Sequence, residues 1–85
     1  MTKDLQIGTE LTIEMLLDTT NVAVARTLCQ ELKGDDLELG NVVIRLLEEH
    51  KEINAENIFL DSKDKKILIL YMKWVNKIDK KRFTL

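Results

Sequence analysis

Ile67 to Met72 are apolar at six consecutive positions, in a chain of 85 residues without a single proline. Such a run is either a strand buried on both faces or part of a helix wrapped by protein on most of its sides. Ile67, Leu70, Tyr71, Trp74 and Ile78 keep helical spacing. The segment KKILILYMKWVNKI also lacks glycine and exceeds a typical strand in length, so it reads as a helix from about Lys63 to about Lys80, capped by Asp61 or Ser62. A helix apolar around most of its circumference must be the central element of a bundle or part of an interface, and so short a chain has little interior in which to hide one. Leu68, Ile69 and Met72 lie off the stripe and are the side chains left for a partner. Tyr71 and Trp74 belong to residue types enriched in interface hot spots and join them as candidate contacts, with core burial as the competing reading for large aromatics. Dimerisation, or capture of a protein partner, is the leading expectation.

The rest of the chain also carries helical patterns. Leu11, Ile13, Leu16 and Leu17 predict a short first helix, with Thr9 or Thr12 at its cap and an end near Thr19 or Thr20. Val22, Ala25, Leu28, Cys29 and Leu32 form a second stripe, stopped by Gly34. Asp35 and Glu38 have the spacing of a capping box, after which Val43, Leu46, Leu47 and His50 continue one face of a third helix. Gly40 inside that pattern implies either a helix beginning at Asn41 or a neighbour packed closely there. Asn54 can cap a short turn from Ala55 to Leu60. The expected fold is therefore all-α, a single domain over 1–85 made of four to five short helices, with a basic tail at 79–85.

Charge and composition narrow the function. Residues 1–60 hold five Lys/Arg against twelve Asp/Glu, a balance of −7, and residues 61–85 hold eight against three, a balance of +5. An acidic body and a basic end can attract a second copy of the same chain. No apolar window suits a membrane span and MTKDLQIG lacks the apolar region of a signal peptide, so a cytoplasmic protein is expected. Cys29 is the sole cysteine and His50 the sole histidine. Neither a disulfide nor a zinc cluster can be assembled from them, a single histidine at the end of a helix makes a weak case for a nucleophile–base pair, and Cys29 reads as a core thiol. The adjacent acids Asp35–Asp36 and Glu48–Glu49 point in different directions on a helix. Asp61 to Asp64 lacks the glycine of a calcium loop, and no glycine-rich phosphate loop occurs. No enzyme activity, cofactor, metal or small-molecule substrate is expected.

One outline competes with a protein-binding role. LTIEMLLDTTNVAVARTLCQEL, residues 11–32, has the form of a helix-turn-helix, with Thr20 and Asn21 at the turn and Asn21 suited to a left-handed conformation. In a DNA-binding regulator of this kind Arg26, Thr27 and Gln30 would reach base edges, with Ala23 and Val24 beside them. The −7 body, with Glu31 close by, opposes binding to phosphate, although Lys77, Lys80, Lys81 and Arg82 could supply cations if the tail folded back. The sequence thus favours a non-enzymatic helical interaction module, such as a small regulator or inhibitor, with DNA binding as the alternative.

Overall fold

In a computed structural model, which describes the backbone of residues 2–83 and the side chains of residues 10–78, five helices account for most of the chain: α1 (Thr2–Asp18), α2 (Val22–Cys29), α3 (Gly34–Glu48), α4 (Ala55–Ser62) and α5 (Lys65–Phe83). No strand occurs among the described residues. The all-helical bundle expected from the apolar spacing is the fold.

Each helix boundary has a local cause. α1 starts at Thr2, well before the expected caps at Thr9 and Thr12, because Gly8 lowers helix stability without breaking the hydrogen-bond ladder. Its end falls where expected. Asn21 then opens α2 from extended backbone, φ −99°, and its Oδ1 accepts from the amides of Ala23 (2.9 Å) and Val24 (3.2 Å). The residue acts as an N-cap, not as the left-handed turn residue that the sequence suggested: two orphan amides at the start of the helix outweigh any need for positive φ.

α2 stops at Cys29, earlier than its stripe implies. Residues 30–32 tighten into a turn with Gln30, Glu31 and Leu32 amides bonded to the carbonyls of Thr27, Leu28 and Cys29, which rolls Leu32 into the core. Gly34 is left-handed at φ 60° and begins α3, so it both ends the turn and starts the next helix. The Asp35–Glu38 capping box is not formed; Lys33 occupies the cap position without a side-chain bond, and the Asp35 carboxylate meets Lys66 Nζ at 3.1 Å.

The end of α3 is a Schellman motif: the His50 amide bonds to the Leu47 carbonyl and the Lys51 amide to the Leu46 carbonyl, with His50 left-handed at φ 58°. His50 therefore lies beyond the helix and is exposed, a correction to its expected place on the core face. Asn54 caps α4 as expected, accepting from Asn57 N at 2.8 Å. α4 continues through Asp61 and Ser62, so neither caps α5. Lys63, left-handed at φ 54°, reverses the chain, and Asp64 Oδ1 accepts from Lys66 N at 2.9 Å as the real cap. Asp61 instead receives both Nε (2.8 Å) and Nη2 (2.7 Å) of Arg45, tying α4 to α3.

α3 is the middle of the bundle, the one helix among the described residues that touches the other four. Leu39, Val42, Val43 and Leu46 of α3 meet Ile13 and Leu16 of α1, Ala25 and Cys29 of α2, Ile58 of α4, and Ile67 and Trp74 of α5 in one core. Gly40 makes this possible. A Cβ there would sit 2.6 Å from Cys29 Sγ and 3.2 Å from Leu32 Cδ1, so a glycine is what lets α2 lie directly on α3. Of the two readings of Gly40 in the sequence, close packing is the correct one.

Candidate protein interface on α5

The Asp64 cap and the Lys63 reversal set the rotation of α5 about its own axis, and that rotation sorts its apolar residues. Ile67 and Trp74 are buried, with Leu70, Tyr71 and Ile78 packed against the core beside them, so the helical stripe read from the sequence is the inward face. At 100° per residue the opposite line runs through Lys65, Ile69, Met72 and Asn76. Ile69 is 53% exposed and Met72 56% exposed, while Leu68, between the two faces, is half-buried. Lys66, Lys73 and Lys77 are exposed along one side of this line, and no carboxylate lies on the described outer face.

The five residues named as contacts thus separate. Ile69 and Met72 project outward together. Leu68 contributes an edge. Trp74, only 5% exposed, is a core residue whose ring is taken up by the chain itself. Tyr71 is half-buried and its hydroxyl donates to the Ile53 carbonyl at 3.3 Å, which ties α5 to the segment before α4. Tyr71 also borders a cleft of about 170 Å³ between α1 and α5, lined with Glu14, Leu17, Asp18, Ile53, Val75 and Ile78.

Two exposed apolar groups escaped the reading of the sequence. On α4, Phe59 and Leu60 are exposed. On α1, Leu11 and Met15 are 52% and 48% exposed, although Leu11 had been placed in the core-facing pattern. The signal was present: Leu11, Met15 and Asp18 fall at i, i+4 and i+7, on the side of α1 opposite Ile13 and Leu16. Two apolar faces competed for one helix, and burial of Ile13, Leu16 and Leu17 decided between them.

Of the helix-turn-helix outline, Ala23, Val24, Arg26, Thr27 and Gln30 are all exposed. Its chemistry differs from that of a phosphate-binding face. Arg26 is paired with Glu48 of α3, the Thr27 hydroxyl donates back to the Ala23 carbonyl at 3.1 Å, and Glu31 is exposed at the end of the same segment. Lys77 is paired with Glu10 at 3.6 Å, and the side chains of Lys80, Lys81 and Arg82 lie outside the described residues, as does the rest of the 79–85 tail at side-chain level.

Other chemistry is sparse. Burial raises the Cys29 thiol above its ordinary range and keeps it protonated. The hydrogen bond that the Lys66 ammonium donates to the Asp35 carboxylate raises the lysine above its ordinary range. Among the described residues no three His, Cys, Asp or Glu side chains converge on a point that could hold a metal ion, and no helix is long and apolar enough to cross a membrane. Compared with known protein families, with curated proteins and with solved structures, the chain has no significant match.

Proposed function

We propose that this chain is a non-enzymatic helical interaction module of the cytoplasm that works by holding a protein partner against the outer face of α5. The observation that carries the reading is the exposure of Ile69 and Met72 together on one line, beside a row of lysines, in a helix whose opposite face already fills the core. Burying two such side chains against a partner contributes about 1 to 2 kcal/mol each, and the lysines favour an acidic surface and speed its approach. So small a domain suits regulation by occlusion, covering a site on the protein it binds.

A photo-crosslinking side chain placed at position 69 tests this in the native host. Covalent capture of one discrete protein species, lost when Met72 is changed to Glu, is the expected result; no protein adduct at position 69 beyond that seen at an exposed control such as Glu56 would refute it.

A second reading, duplex DNA binding through α2, is supported by the joint exposure of Arg26, Thr27 and Gln30. It requires binding that falls steeply with salt and weakens in Arg26→Ala. Absence of duplex binding at low salt would remove it.

A further inference from the structure

The α5 face has a counterpart of opposite charge on the same molecule. Leu11 and Met15 stand exposed on α1 in line with Asp18, with Glu10 and Glu14 along one side. From residue 10 to residue 18 α1 carries no cation. Ile69 and Met72 stand exposed on α5 in line with Lys65, with Lys66, Lys73 and Lys77 along one side. Each face is a pair of apolar side chains one turn apart, one rimmed by carboxylates and the other by ammonium groups. Within a single chain Lys77 of one rim pairs with Glu10 of the other at 3.6 Å, and all four apolar side chains remain about half open.

We infer that the partner of the α5 face is a second copy of this chain, which seats its α1 face, Leu11 and Met15, on Ile69 and Met72. This rests on the reading of α5 as a protein-binding surface and gives that surface an occupant. The contact is heterologous at the level of helices, α1 against α5. It closes into a dimer if two such contacts form about a two-fold axis, and otherwise extends head to tail. Matching the two rims steers approach and sets which helix meets which, because α5 against α5 or α1 against α1 would bring like charges together.

Sedimentation of three samples tests the assignment: the wild type, Met15→Lys, which sets a cation against the lysine-rimmed face, and Ile69→Glu, which sets an anion against the acidic one. Both positions are about half exposed, so each monomer should stay helical by circular dichroism. The wild type should associate, and more weakly as salt rises from about 0.05 to about 0.5 M. Each variant alone should lose about tenfold or more in association constant. An equimolar mixture should recover a 1:1 complex, because the intact α1 face of Ile69→Glu can still meet the intact α5 face of Met15→Lys. If Met15→Lys associates as well as the wild type while Ile69→Glu does not, α5 meets some other surface and the α1 assignment falls, with the reading of α5 intact. A wild type that sediments as a monomer at the highest attainable concentration overturns the second copy as partner; the crosslinking at position 69 then decides separately whether α5 binds a different protein. Failure of the mixture to recover the complex also overturns the assignment.

Discussion

α3 and α5 each carry an uninterrupted apolar run, Val42–Ile44 and Ile67–Met72, and they use them in opposite ways. α5 has the longer uninterrupted run, yet α3 is the helix that meets all the others. What makes α3 central is Gly40 as much as its leucines and valines. A missing side chain lets Cys29, Leu32 and Leu16 approach the α3 backbone, and helices that approach closely bury more of their neighbours. α5 has bulky residues at every position of Ile67–Met72, so it packs with one face and has a surplus on the other. Apolar density alone does not tell a helix covered on every side from one that leaves an apolar face exposed; the smallest residue in the pattern does.

The largest expected effect sets one helix directly against the other. Leu39→Ala in α3 should cost about 3 kcal/mol, in the range for a fully buried leucine, whereas Ile69→Ala in α5 should stay within about 0.5 kcal/mol when measured on the monomer. Urea midpoints at low protein concentration check both, and equal losses would erase the distinction between the helices.

Next comes Gly40→Ala. Helix propensity favours alanine by about 1 kcal/mol, but the clash with Cys29 and Leu32 should outweigh it and leave a net loss of about 1 to 2 kcal/mol. The double variant Gly40→Ala, Cys29→Ala sharpens the point: with Sγ gone, the alanine at 40 should be close to neutral relative to Cys29→Ala alone, and a double-mutant cycle measures the coupling.

Smaller gains are expected where the two helices are joined to their loops by left-handed residues. His50→Gly at the end of α3 and Lys63→Gly before α5 should each stabilise by about 0.5 to 1 kcal/mol, because glycine adopts positive φ without the Cβ penalty. The rise in Tm should be a few degrees in a domain of this size. His50→Ala, with a Cβ and no partner side chain to lose, should change little.

The smallest effect is a pH dependence. Burial lifts the Cys29 thiol above its ordinary value of 9.0, so in alkali the unfolded chain releases this proton first and stability declines as pH rises past that value. At lower pH both states hold the proton and the contribution is constant. Cys29→Ala should flatten this alkaline slope in a series of urea titrations.

Much of the fold was legible in the sequence because helical periodicity survives without any knowledge of neighbours. The stripe Ile67, Leu70, Tyr71, Trp74 and Ile78 is the inward face of α5, and Ile69 and Met72 are the outward residues, as the spacing predicted. What spacing misses is which of several polar residues wins a terminus. Asp61, Ser62 and Asp64 all have capping chemistry, and the choice fell to Asp64 because α4 runs on through Asp61 and Ser62, with Asp61 held by Arg45 sixteen residues away. Leu11 was misplaced for a related reason: α1 has two apolar lines, and only the packing of α2 and α3 shows which one is covered. The candidate contact surface was half legible: the spacing separated Met72, which is exposed, from Trp74, which fills the core, but the hot-spot preference of aromatic residue types had added Trp74 to the surface.

The seam between Cys29 and Gly40 also makes the chain its own clock. With one cysteine in 85 residues, any thiol reagent too large to slip between helices must wait until α2 lifts from α3, so the rate of alkylation counts those openings without an added probe. When closing outruns labelling, that rate scales with the fraction of molecules open at any instant. A ligand resting on α2 would slow the count by holding the seam shut, whereas one gripping α5 would slow it only if the thiol is reached by unfolding of the whole domain.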